Sequence, residues 1–225
     1  MKLSILFLAS LMLFSTIIFS REYSTRFKSS INPISSEIKA QMLKYTWHPT
    51  CPVTLNDLSE VKLIYWGFDH KPHQGELIVN KALAKEIVAI FKELYHHRFP
   101  IQRMELMDAF KGDDMQAMNA NNTSAFNCRE VTGQPGVFSQ HSYGRAIDIN
   151  TLINPYVKGN QVLPEAGKVY ANRSTNYPGK ITKNSFIYNT FQKYNWNWGG
   201  DWDDLKDYQH FEKRANDEKR DSKGY

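Results

Sequence analysis

The chain has only two cysteines among its 225 residues, so at most one disulfide can brace it and its stability must come mainly from an apolar core. Internal repeats and shifts of composition are absent, which leaves one domain rather than an array or a tandem. Charge of one sign is scarce as well. The formal net charge is +5, the basic residues are scattered, and no row of aromatics forms a stacking platform, so a nucleic-acid-binding module is excluded. Long apolar runs are missing except at the start. Lys2 precedes a run from Leu3 to Phe19, Ser20 sits where a cleavage site belongs and Arg21 begins the remainder, the layout of a secretory signal peptide. The run is short for crossing a bilayer. Export with cleavage is therefore expected over a retained anchor, leaving no integral membrane span.

What is present is ordinary in bulk and specific in detail. With 41% hydrophobic residues the chain can bury a sizeable core. Removal of residues 1–20 takes away Lys2 and leaves a formal charge of +4, a mildly basic surface that favours anionic partners when salt is low. In an oxidising compartment Cys51 and Cys128 can close a loop of about 78 residues, which stabilises by on the order of 4 kcal/mol in the chain-entropy treatment. Two buried free thiols are the alternative.

Periodicity gives the expected elements. Residues 21–34 read as a polar lead-in. Ser36 is placed to cap a short helix through Lys44 that buries Ile38, Met42 and Leu43. Strands are expected over 62–68 and 76–79 around the turn-rich Asp69–Gly75, hairpin-fashion. Asn80 is placed to cap a helix over 81–96, where Leu83, Ile87, Ile90, Phe91 and Leu94 recur at helical spacing. A strand over 101–106, a long ordered loop over 111–145, a strand over 146–150, an irregular excursion over 151–183 and a helix over 185–193 (Phe186, Ile187, Phe191) complete the reading. The tail, residues 213–225, is charged and is expected to be disordered.

Two motifs carry chemistry. The first is Ser139-Gln140-His141-Ser142-Tyr143-Gly144-Arg145-Ala146-Ile147-Asp148, and the second is Asp207-Tyr208-Gln209-His210-Phe211. Two imidazoles and a carboxylate suit zinc, and three protein ligands leave a fourth position open, as catalytic zinc sites do. Alternation puts Ile147 and Ile149 toward a core and Asp148 on the other face, while Gly144 permits a tight turn between His141 and that strand. Spacing alone leaves a plain hydrogen-bonded His–Asp pair as the commoner explanation. His70 and His73 form H-x-x-H in a turn without a suitably spaced glutamate, and His48, His96 and His97 have no evident catalytic place.

S-x-H-x-x-G-x-A-x-D, followed by Gly199-Gly200-Asp201-Trp202 and then D-x-x-H-F, resembles the zinc peptidases of the VanY-type D-alanyl-D-alanine carboxypeptidase and L-alanyl-D-glutamate peptidase family. Cys51-Pro52-Val53, Gly67-Phe68-Asp69, His73–Leu77 and Asn121–Arg129 extend the likeness over roughly residues 35–212. It implies an α+β fold: a single domain, hedgehog-like, with a small antiparallel sheet carrying the zinc site and packed against helices. It also implies zinc held by His141, Asp148 and His210, with Asp207 as general base. Arg129 is expected to hold an oxyanion or substrate carboxylate, against the alternative of a structural ion pair. Ser139 is expected either to orient a ligand or only to form the turn. Trp196, Trp198 and Trp202 are expected in a cleft or in the core. The implied activity is hydrolysis of an amide in bacterial peptidoglycan stem peptides by a secreted or periplasmic monomer. The L-alanyl-D-glutamate bond is favoured, because the base is Asp and Gly199–Trp202 is present. A non-catalytic wall-binding or signalling module on the same scaffold is the alternative.

Overall fold

The computed structural model describes residues 26–131 and 134–220; the apolar leader lies outside them. No helix among the described residues is long and apolar enough to cross a membrane. Helices and small, mostly antiparallel sheets alternate along the chain, as expected of an α+β fold.

The main sheet is built on a hairpin of β2 (Leu58–Gly67) and β3 (Pro72–Asn80), paired from Leu58 opposite Asn80 to Trp66 opposite Pro72. It is longer than the apolar run at its centre, because Glu60 and Lys62 also sit in the ladder, joined by an ion pair at 3.0 Å. Strand β1 (Ser29–Asn32) lies along β2, so part of the lead-in is structured: its backbone satisfies an otherwise open sheet edge. Between them, α1 (Ser36–Tyr45) is capped by Ser35, not Ser36, through Oγ and the Ile38 N–H at 3.2 Å. Met42 is buried, while Leu43 points outward at 51% exposure, because the helix buries only a narrow stripe.

Helix α2 (Ala84–His96) follows a turn in which the Ala82 N–H donates to Asn80 Oδ1. Its stripe of Leu83, Ile87, Ile90, Phe91 and Leu94 is buried throughout and joins Val61, Leu63, Leu77 and Val79 of the hairpin in the principal core. Residues 101–106 are not one strand. Pro100–Ile101 (β4) runs parallel to the end of β2, and Arg103–Met104 (β5) pairs with Asn122–Thr123 (β6); Gln102 turns between them, its N–H donating to Asn150 Oδ1.

The expected long loop is richer than its polar composition indicates. It holds α3 (Asp114–Asn119), capped by Asp113 accepting from the Gln116 N–H, then β6 and a hairpin of β7 (Glu130–Val131) and β8 (Gln134–Phe138). The strands are only two to five residues long, too short to show a period. Strand β9 is Ala146–Asp148. The following excursion also has structure: a hairpin of β10 (Tyr156–Lys158) and β11 (Gln161–Leu163), and one turn of helix, α4 (Lys168–Ala171).

Helix α5 (Phe186–Lys193), capped by Ser185, buries Ile187 and Phe191. Phe186 instead lies at the surface, stacked on His97 with ring centroids 3.6 Å apart. After β12 (Asn197–Trp198) come β13 (Lys206–Asp207) and β14 (His210–Glu212). The tail is structured as far as residue 220: Lys213 pairs with Glu86 at 2.9 Å and Arg220 with Asp204 at 2.7 Å. Opposite charges that look like a solvated run in the sequence find partners across the fold.

Cys51 and Cys128 are disulfide-bonded and sit in a second apolar cluster with Met42, Leu58, Ile78 and Phe126. This bond ties the segment after α1 to the strip that leads into the first motif. Cys51→Ser with Cys128→Ser is expected to lose about 4 kcal/mol of unfolding free energy, from the size of the loop closed. Urea titration of wild type and double variant checks it; equal midpoints and slopes would disprove the bracing role.

Candidate metal centre

Backbone register brings the two motifs together. Strand β14 pairs with β9 so that His210 lies directly opposite Asp148, Phe211 opposite Ile147 and Glu212 opposite Ala146. Directly opposed residues share a face. Ile147 and Phe211 therefore enter the core, where Phe211 stacks on Phe191 at 3.9 Å, and Asp148 and His210 meet on the other side. Asp148 lies on the face opposite Ile147, as the alternation predicts, and is only 4% exposed.

His141 arrives by the turn. Ser139 Oγ caps a short 3-10 segment over Gln140–Tyr143, accepting from the His141 N–H, and Gly144 ends it at φ 65°. A Cβ on Gly144 would lie 2.5 Å from the Asn80 backbone nitrogen and 2.9 Å from Leu58 Cδ2. Gly144→Ala is expected to cost at least about 2 kcal/mol, combining the left-handed backbone penalty with that clash. Thermal melts against wild type test this, and an unchanged midpoint would contradict it.

The donor atoms converge. His210 Nδ1 is 2.9 Å from Asp148 Oδ1, His141 Nε2 is 3.1 Å from Asp148 Oδ2, and the two ring nitrogens are 3.2 Å apart. Four-coordinate zinc with bonds of about 2.0–2.1 Å sets its ligand atoms roughly 3.3 Å apart. The rings' other nitrogens are spoken for: His141 Nδ1 is 2.5 Å from the Ala125 carbonyl and His210 Nε2 is 3.1 Å from Glu212 Oε2. A carbonyl and a carboxylate accept, so both of those nitrogens carry hydrogen. The inward nitrogens then present lone pairs, beside a carboxylate, to one buried point. Such a point can hold a cation, and the donor set fits zinc.

The electrostatics agree. Burial opposes the Asp148 charge, but hydrogen bonds and charge from His141 and His210 hold its carboxyl well below the usual carboxylate range. Burial likewise disfavours a charged His210, yet Asp148 and Glu212 raise it to about 10, so without a metal a proton supplies the positive charge. Glu212 is in turn held by Arg214 Nε at 2.7 Å. Among the described residues one other group has metal-ligand types close together, His48, Cys51 and Cys128. Its sulfurs are committed to the disulfide. His73 instead hydrogen-bonds Asp69 at 2.8 Å.

Asp207 lies opposite Tyr156 in the β13–β10 pair, on the same cleft as His141 and His210. Its Oδ1 is buried without a hydrogen-bond partner, and burial raises its carboxyl to about 7. Arg129 also lines the cleft, and its guanidinium meets Asp114 at 2.9 Å, so the ion pair and the cleft position coexist. Ser139 serves the turn. Of the tryptophans, Trp202 lines the cleft, 5.3 Å from the His210 ring, whereas Trp196 and Trp198 are buried in the core. Three contributors escaped the sequence reading: the Ala125 carbonyl, Tyr156 and Glu212. Only Glu212 left a signal, being two residues beyond His210 on a strand and hence on its side.

Residues 132–213, little more than a third of the chain, match a family model described as D-alanyl-D-alanine carboxypeptidase. That stretch is thus similar to a peptidase family, and it contains His141, Asp148, Asp207 and His210. Arg129 and the upstream segments of the resemblance fall outside it. No curated protein and no solved structure matches.

Proposed function

We propose that this protein is an exported zinc peptidase that hydrolyses an amide bond in peptidoglycan stem peptides, the L-alanyl-D-glutamate bond in preference to a terminal D-alanyl-D-alanine bond. The observation that carries the reading is the convergence of His141 Nε2, His210 Nδ1 and the Asp148 carboxylate within 3.2 Å, on a cleft that also holds Asp207. The peptidase-family match over residues 132–213 supports the substrate class, and the apolar leader supports export.

His141, Asp148 and His210 would hold the metal, with the Ala125 carbonyl and Glu212 fixing the two ring tautomers. When bound, zinc would polarise the scissile carbonyl and bring the acidity of a water into the neutral range, about pKa 7. Asp207 takes the proton from the attacking water and delivers it to the departing amine. A carboxyl whose pKa lies near neutrality can do both. Arg129, anchored by Asp114, keeps a permanent positive charge at the cleft wall, where a developing oxyanion or a substrate carboxylate gains from it. Tyr156 and Trp202 line the same cleft, Trp202 with its ring 5.3 Å from that of His210.

Mass spectrometry of muropeptides incubated with the zinc-loaded mature chain tests this. Products separated after L-alanine are expected; loss of terminal D-alanine alone would move the assignment to the carboxypeptidase branch, and intact muropeptides under all conditions would leave the non-catalytic wall-binding reading.

A further inference from the structure

Buried polar atoms without a partner are costly, so where they gather they mark a surface built for something else to complete. Among the described residues four such side-chain atoms belong to residues that line the one cleft: Arg129 Nε, Gln134 Oε1, Asp207 Oδ1 and Gln209 Oε1. Asp207 has a role already. Gln209 is the most enclosed of the other three, at 4% exposure. Its amide nitrogen has only a weak contact with Met118 Sδ at 3.5 Å, while its backbone carbonyl receives the Ile149 N–H, which fixes the residue beside the metal centre.

We propose that Gln209 is a substrate-binding residue: its amide carbonyl accepts a hydrogen bond from a backbone N–H of the bound peptide. Arg129 Nε, a donor on the same cleft, complements it by offering a hydrogen to a peptide carbonyl. One acceptor and one donor on the same cleft can serve an N–H and a C=O of a bound peptide, and neither reads side-chain identity. The cleft therefore contacts the substrate's main chain beside the scissile bond. This rests on the peptidase reading for the location of the scissile bond; recognition of the peptide backbone stands on the unpartnered atoms alone.

The decisive variant is Gln209→Met, which keeps length and approximate volume but removes the carbonyl. Calorimetric titration with a stem tripeptide and with tetra-L-alanine, on zinc-loaded and metal-free protein, is expected to show affinity weakened by about tenfold or more. The thermal midpoint of the free protein should be unchanged or higher, because an unpartnered buried carbonyl has gone. Unchanged affinity would overturn the proposal. So would a fall of several degrees in the midpoint, which would make Gln209 a structural residue. If wild type binds tetra-L-alanine but not the stem peptide, the peptidoglycan reading fails while the Gln209 comparison proceeds on tetra-L-alanine; if it binds neither, both fail.

Discussion

Asp207→Asn is expected to reduce kcat on a stem peptide by about 100- to 10,000-fold, the usual contribution of a positioned general base. Zinc content and fold should survive, because Asp207 lies outside the converging donors and its Oδ1 makes no hydrogen bond that the fold depends on. The shape is preserved by the amide. Asp207→Glu retains the carboxylate with one more methylene and should keep more activity than the amide variant. The pH profile carries the same assignment. A base works when deprotonated, so kcat/KM should rise with pH through the titration of Asp207. Burial sets that carboxyl at about 7 in the metal-free chain, and a divalent cation nearby can only lower it. The acid limb of wild type is thus expected at or below about pH 7, and it should vanish in Asp207→Asn. An unchanged rate in that variant, with wild type active, would remove Asp207 from the chemistry while leaving the peptidase reading intact.

How much of this could be read from the chain follows the range of the interactions. The α2 stripe was legible because Leu83, Ile87, Ile90, Phe91 and Leu94 repeat within one helix and need no knowledge of a partner. The candidate ligands were legible for a different reason: His141, Asp148 and His210, which the fold brings together, sit in two short motifs whose residue types carry the proposed chemistry. What holds them was not. The opposition of His210 to Asp148 and of Asp207 to Tyr156 is a matter of register between strands 62 and 51 residues apart in sequence, and no local pattern encodes which strands meet. The region over 111–145 failed for the opposite reason. Its strands are so short that turn-forming residues dominate, and β6 becomes a strand only by pairing with the distant β5. Arg220 was assigned to a solvated tail because a charge run looks the same whether or not its partner, here Asp204 beside Trp202, waits elsewhere in the fold.

His141→Ala and His210→Ala are each expected to reduce bound zinc from about one per chain to near zero after dialysis, and to abolish hydrolysis with it. Each removes a ligand and leaves two others too few to close a zinc site. The same centre should be visible without any substrate. A metal ion that takes the place of the proton bridging these donors stabilises the folded chain but has no comparable site on the unfolded one. Linkage then gives about 4 kcal/mol when free zinc exceeds its dissociation constant a thousandfold. For a chain of this size such a gain raises the melting midpoint of the apo protein by several degrees or more. The effect should fade on acidification, since protons compete for both imidazoles. In His141→Ala the zinc-dependent rise should disappear, whereas in His73→Ala, whose ring meets Asp69 and Tyr65 away from the converging donors, it should be as large as in wild type. A full zinc response in His141→Ala, or none in wild type, would show that the converging donors are a proton-bridged cluster and not a metal centre.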